Sequence, residues 1–227
     1  YGLNELNGSL YRVDVAQDGA TLHGLSQLDF FSAEEQAGLP FVRSGAVCGE
    51  SLYLLMGLTD GAVQASLFRF DMATGARSPV DPQSDVTEIA RYRDGHLLLL
   101  EALPNEQWRI TDFDPAAETF VPLYDSEGLK GAPVHGLLYD PWRDRVLVES
   151  GEEVLALSAG NACEVVTYLP LLSFGGRALA QDGRLLLLQD QAVYALSTLP
   201  QAQLKPLMIS CDYPESWIER EFAQAHP

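Results

Sequence analysis

Basic residues are scarce in this chain: 14 Lys and Arg stand against 32 Asp and Glu, giving a formal charge of -18 over 227 residues. Phosphate backbones and anionic headgroups are bound through basic patches and counterion release, so this charge argues against nucleic acid and against direct contact with a membrane surface. Cysteine is scarcer still. Cys48, Cys163 and Cys211 are odd in number, far apart and without a CxxC pair. Neither a disulfide framework nor a zinc knuckle is signalled, and three isolated thiols are expected. Long apolar runs are missing too: the longest leucine runs are the four at 97–100 and again at 185–188. A spanning helix needs ~20 such residues, so none is expected.

Signatures of catalysis are equally sparse. There is no GxSxG elbow, HExxH pair or P-loop, and His23, His96, His135 and His226 are scattered without ligand spacing. "DFDPAAET" offers Asp112, Asp114 and Glu118 but lacks the third loop ligand and the glycine of an EF-hand, so a solvated turn is expected there. Carboxylate pairs drawn from Asp140, Asp144, Glu149, Glu152 and Glu153 are what an acidic chain supplies by chance. No catalytic residue, metal or cofactor is expected.

What the chain does have is a repeat. A strand ending in a short polar turn recurs as "SLYRVDVAQDG", "SLFRFDMATG", "RITDFDPAAET", "EVLALSAGN" and "AVYALSTLP". Asp14, Asp71, Asp114, Ser158 and Ser197 mark it at steps of 57, 43, 44 and 39 residues. Those steps are close to the ~40 to 50 residues of a β-propeller blade. In all but the first repeat a second strand precedes it: "GESLYLLMG", "RDGHLLLLEA", "WRDRVLVES" and "QDGRLLLLQ". Asp94-Gly95 and Asp182-Gly183 are hairpin-turn dipeptides, which tolerate positive φ. The apolar runs, in place of strict alternation, fit strands buried on both faces between stacked sheets.

The fold class that follows is all-β, a β-propeller with about five blades, the first incomplete. Four repeats span roughly residues 44–80, 86–123, 132–169 and 173–207. The first, about residues 7–30, supplies two strands, with its missing strands expected before Tyr1. "FFSAEEQAGLPF", from Phe30 to Phe41, is an insertion. The Asp or Ser closing each strand is expected to cap its turn by bonding the backbone two residues on, not to bind a ligand. Subfamily marks are lacking: there are no Trp-Asp pairs, no sialidase Asp-box, a lone kelch-like doublet at Gly175-Gly176, and no repeat-ending tryptophan of the quinoprotein kind. "YDPWRDR", Tyr139 to Arg145, sets Trp142 beside Arg and Tyr. That is the composition of a recognition hot spot, although a Trp packed over a hairpin turn is the commoner case.

The last residues differ in character. In "LMISCDYPESWIEREFAQAHP" a strand at Leu207 to Ile209 leads into a helix capped by Asp212 and started near Pro214, with Ile218, Phe222 and Ala225 on one stripe. Strand then helix is half of a βαβ unit, which needs a further strand. The expected domains are therefore 1–206, the propeller, and 207–227, the start of an α/β domain; the alternative is a terminal helix docked on the ring. This segment resembles the first strand and helix of the bacterial extracellular solute-binding proteins of ABC importers, with Leu207 and Ile209 in the strand and Phe222 and Pro227 in the helix-ending pattern. The resemblance implies a lipid-anchored surface protein that hands a small solute, often a carbohydrate, to an ABC permease. It also implies a ligand cleft bordered by Cys211, Asp212 and Tyr213.

The function expected is thus a non-catalytic extracellular propeller module of such a lipoprotein, with Asp212, Tyr213 and Trp142 as ligand-binding candidates and a protein or glycan as a possible partner on the propeller face. Two alternatives stand beside it: an extracellular propeller enzyme acting on glycans, and a free-standing protein-interaction propeller.

Overall fold

Burying a Leu or Phe side chain is worth roughly 1.5–3 kcal/mol, so the four-residue apolar runs decide where the strands pack. The computed structural model describes residues 2–4, 9–16, 19–27, 40–58, 65–82, 84–126, 134–158, 162–169, 176–189, 192–198 and 204–208. Among them every regular element is a strand, apart from one three-residue 3-10 turn at Arg93–Gly95. The chain divides into two units, residues 1–123 and 124–227.

In the first unit β1 (Gly2–Asn4), β2 (Ser9–Ala16) and β3 (Gly19–Gln27) form a three-stranded antiparallel sheet. A four-stranded meander follows, made of β4 (Pro40–Cys48), β5 (Ser51–Leu58), β6 (Ala65–Asp71) and β7 (Arg77–Val80). The next is β8 (Asp85–Arg91), β9 (Leu97–Leu103), β10 (Gln107–Asp114) and β11 (Thr119–Asp125). The second unit holds β12 (Val134–Asp140), β13 (Arg145–Ser150), β14 (Glu153–Ser158) and β15 (Ala162–Tyr168). Its second sheet is β16 (Gly176–Leu179), β17 (Arg184–Gln189), β18 (Ala192–Ser197) and β19 (Leu204–Met208). The described residues are all-β, and their four-stranded meanders are propeller blades.

Why the central strands read as runs is visible in β5 and β9. Leu52, Leu54, Met56 and Phe70 form a cluster on one face of their sheet. Tyr53, Leu55 and Leu67 pack from the other face against Val86, Ile89, Leu97, Leu99 and Phe113 of the next sheet. Each strand is sealed on both sides, so alternation would place a polar group in a core. The second unit repeats the design, Leu147, Val154 and Ala156 packing against Leu185, Leu187, Tyr194 and Leu196. The turn before β9 takes the expected form, with Asp94 at φ 35° and Gly95 at φ 89°.

Two differences from the sequence reading are informative. The first repeat has three strands where two are predicted, because Gly2–Asn4 pairs with β2, Gly2 opposite Tyr11 and Asn4 opposite Ser9. Three residues are too short to show any period, so nothing in the sequence marks them. At the other end, Leu207 and Met208 belong to β19, the last strand of a blade, with Met208 opposite Val193 of β18. The expected helix from Pro214, with Cys211, Asp212 and Tyr213 before it, lies outside the described residues, as does most of the insertion that starts at Phe30.

Candidate functional site

In the second unit, antiparallel pairing sets His135 of β12 directly opposite Glu149 of β13. The register then slips between His135 and Leu138, and Gly136 takes a φ of 67° at the slip. A bulge of this kind bends the strand and re-aims its side chains, and glycine takes the left-handed conformation without penalty. The space that a Cβ at Gly136 would need is filled by the Glu149 side chain.

Glu149 is the charged end of an apolar run, with a side chain only 3% exposed. A buried carboxylate needs a cation and hydrogen bonds. Arg177 of β16, the first strand of the next blade, supplies both: its Nε donates to Oε1 and its Nη2 to Oε2, the latter at 2.7 Å. This is the two-pronged guanidinium–carboxylate geometry, the strongest of the ordinary ion pairs. His135 completes the group from the solvent side, its Nε2 standing 3.2 Å from Oε2 with the ring about half exposed. Two residues from two other strands, His135 of β12 and Arg177 of β16, therefore converge on the carboxylate of β13. The exposed side of the His135 ring, with Nδ1, is left for a ligand or solvent. The group can bind a polar molecule; with a proton on Nε2 facing the carboxylate, Nδ1 can also accept one.

A second charged network lies at the far end of the same hairpin, roughly 15 Å away by strand rise. Asp140 is fully buried; its Oδ1 accepts the backbone N–H groups of Trp142 and Arg143, each at 3.2 Å, and its Oδ2 accepts Arg143 Nη1 at 3.3 Å and Arg145 Nε at 3.1 Å. Arg145 Nη2 reaches Thr198 Oγ1 at 2.7 Å, and that hydroxyl donates to Gly183 O at 2.7 Å. Every partner is a turn or strand-end group, so this network fastens the β12–β13 turn to the neighbouring blade.

Trp142 sits in that turn, 48% exposed. The structure does not bring it to His135 and Glu149. Of the carboxylates singled out in the sequence, Glu149 and Asp140 are buried and ion-paired, while Asp144 accepts the Tyr139 hydroxyl at 2.8 Å. Asp212 and Tyr213 are outside the described residues.

Two of the strand-closing aspartates, Asp71 and Asp114, behave as caps. Asp71 Oδ1 accepts N–H groups from Ala73 at 3.0 Å and Thr74 at 2.8 Å, and Asp114 Oδ1 accepts those of Ala116 at 2.9 Å and Ala117 at 3.2 Å. The N–H of Thr74 is the chief reason that the Asp71 carboxyl lies below its ordinary value, and the N–H of Ala116 does the same for Asp114. Asp112 is engaged with His96, whose Nδ1 lies 2.8 Å from Oδ1. Among the described residues no three His, Cys, Asp or Glu are grouped as a metal would require.

His135 and Arg177 were not foreseeable as partners of Glu149. The available signal was a charge in the buried run "RVLVE", where a carboxylate demands a counterion.

The chain matches no protein-family model and no curated protein. Its fold is similar to solved structures. A Bacteroides thetaiotaomicron protein of unknown function gives a TM-score of 0.58 at 11% identity, over 93% of this chain and 59% of that one. A gluconolactonase from Xanthomonas campestris gives 0.57 at 14%, over 86% and 67%. A structure described as the extracellular domain of a one component system from B. thetaiotaomicron gives 0.51 at 16%, over 77% of this chain and 23% of that one. The chain thus spans under a quarter of the length of that last protein. None of the three is described as a solute-binding protein of an ABC importer. At such identities the likeness establishes the β-propeller fold and leaves the chemistry to the residues of this chain.

Proposed function

We propose that this chain is a non-catalytic recognition module working outside the cell, which binds a small hydroxyl-rich solute, a carbohydrate in the first instance, at His135, Glu149 and Arg177. The observation that carries the reading is the Glu149 carboxylate, nearly fully buried and held from two strands, with a half-exposed imidazole beside it. A carboxylate clamped in this way is rigid, and rigid polar groups are what fix the hydroxyls of a small ligand. The acidic balance of the chain and the extracellular neighbour support the location. Service to an ABC permease from a lipid-anchored protein is the finer form of the proposal; it rests on the sequence resemblance of residues 207–227 alone, of which Leu207 and Met208 stand in β19 of a blade.

Calorimetric titration of the chain with a panel of mono- and disaccharides tests the reading. One or more should bind, and His135→Ala, which alters a half-exposed ring, should weaken that binding about tenfold or more while the melting temperature stays put. Absence of binding at millimolar sugar, or a His135→Ala variant that binds as the parent does, overturns it.

A second reading is favoured by the orientation of His135. With Nε2 turned to the carboxylate, Nδ1 is placed as a base, the arrangement an extracellular enzyme acting on glycans would use. Turnover of a glycan that His135→Gln abolishes would favour this reading over the first.

A further inference from the structure

The first unit contains a cavity of ≈ 280 Å³ whose lining combines aromatic rings with charges of both signs. Its position follows from strand register. Tyr53 of β5 lies opposite Arg69 of β6, which lies opposite Ser78 of β7, so the three side chains stand in a row on one face of the sheet. Phe113 of β10 and Phe120 of β11 close the space from the next sheet.

The floor is aromatic and rigid. Tyr53 and Phe113 are each 2% exposed, with ring centroids 6.0 Å apart in an edge-to-face contact, and Phe113 stacks on Phe120 at 4.6 Å. Burial pushes the Tyr53 phenol above its ordinary value, so its hydroxyl stays neutral. The rim is charged and exposed: Arg69, Asp81 and Glu118. Arg69 Nε donates to Ser51 Oγ at 2.9 Å, which orients the guanidinium, and among the described residues no carboxylate lies at ion-pair distance from it. Glu118 stands at the rim in a left-handed backbone conformation, φ 53°.

We propose that this cavity binds a small zwitterion, a free amino acid with an apolar side chain: its carboxylate on Arg69, its ammonium between Asp81 and Glu118, its side chain on the Tyr53, Phe113 and Phe120 rings. The sign pattern selects the ligand. A guanidinium with open Nη groups takes a planar carboxylate in two-pronged fashion. A simple anion would meet two rim carboxylates and a chain of charge -18. A simple cation would leave Arg69 unmatched, and a neutral sugar could hydrogen-bond to these groups but would bring no charge to balance any of the three. Ring faces attract an ammonium and also pack against an apolar side chain. The volume is at the small end for ligand pockets, which run from about 300 Å³ upward, so it suits a single amino acid better than a peptide. This site lies in the other unit from Glu149, and the inference is independent of the function proposed there.

The test is calorimetric titration of the whole chain with L-phenylalanine and L-leucine, with their N-acetyl and carboxamide derivatives, and with glucose. One of the two amino acids should bind, and masking either its amine or its carboxylate should weaken binding about tenfold or more, the worth of a charge-assisted contact. Arg69→Gln should weaken the free amino acid by a similar factor and abolish the preference for acid over amide. Asp81→Asn with Glu118→Gln should abolish the preference for the free amine over its N-acetyl form. All three residues are exposed at the rim, so these variants should melt as the parent does. No heat from either amino acid at millimolar concentration, equal affinity for the masked forms, or an Arg69→Gln variant with unchanged affinity and preference overturns the proposal.

Discussion

Gly136 makes room for Glu149: a Cβ at residue 136 would lie 2.6 Å from Glu149 Cδ and 2.7 Å from Oε1. Two costs would therefore meet in Gly136→Ala. The left-handed backbone conformation alone disfavours alanine by about 1–2 kcal/mol, and moving the carboxylate would pull it from Arg177. Urea denaturation should show a loss above that backbone figure. A loss of 1 kcal/mol or less would mean that the carboxylate relocates freely, and the site would not be rigid.

The Glu149–Arg177 pair should show strong coupling. Removing one member of a buried pair leaves an uncompensated charge and costs about 3–5 kcal/mol, whereas replacing both with apolar residues is often nearly neutral. Arg177 is 27% exposed, so Arg177→Met is expected at the lower end of that range. The double variant Glu149→Leu/Arg177→Met should recover much of the loss. Additive effects in the double-mutant cycle would show that the pair contributes little.

Acid sensitivity should come partly from the turn caps. Asp71 and Asp114 are held below the ordinary carboxylate value by backbone N–H groups. A carboxyl whose folded value is depressed stabilises the fold above its unfolded value, near 3.9, and the contribution is lost as pH falls through the lowered folded value. Asp71→Asn and Asp114→Asn keep an oxygen acceptor but do not titrate there. Each should flatten the decline of melting temperature with falling pH below about 4. Curves parallel to the parent's would remove the caps from the acid response.

The described thiols should be sluggish. Burial raises Cys48 and Cys163 above the ordinary thiol value, and the Cys48 thiol donates to Gly95 O at 2.6 Å. The thiolate is the reactive form, so both should be alkylated more slowly than free cysteine at neutral pH and should speed up as pH rises. Peptide mapping after timed iodoacetamide exposure separates these two sites from Cys211. Labelling as fast as free cysteine at pH 7 would contradict the burial.

The fold was legible where a residue acts on its own neighbours. Asp94-Gly95 needs only its own φ angles, Asp71 and Asp114 bond the backbone two and three residues on, and Leu97 to Leu100 declare burial on both faces. The site was not legible in this way. His135 and Glu149 face each other because β12 pairs with β13 in one register, the bulge at Gly136 breaks that register at the next residue, and Arg177 arrives from a different blade. None of these is a local property. The Tyr53–Arg69–Ser78 row and the Phe113 ring opposite it likewise depend on which strands become neighbours. Spacing rules for ligands along one strand or helix cannot find a site assembled across three.

Asp140 and Trp142, two residues apart, should separate fold from recognition. Asp140→Ala removes the acceptor for two turn N–H groups and the counterion of Arg145, which is itself only 9% exposed. It is expected to cost about 3–5 kcal/mol, as for any broken buried pair. Trp142→Ala trims a side chain 48% exposed, and its effect on stability should stay within about 0.5 kcal/mol. An alanine scan from Asp140 to Glu153 that reads only function would therefore mark Asp140 as essential for the wrong reason. Melting temperatures taken alongside resolve this: a variant that binds poorly and melts early has lost its fold. If Trp142→Ala melts as the parent does yet loses affinity for a saccharide that His135→Ala also weakens, the turn carries a contact of its own, some 15 Å along the hairpin from Glu149. If Trp142→Ala instead melts several degrees lower, the ring packs over its turn and has no part in recognition.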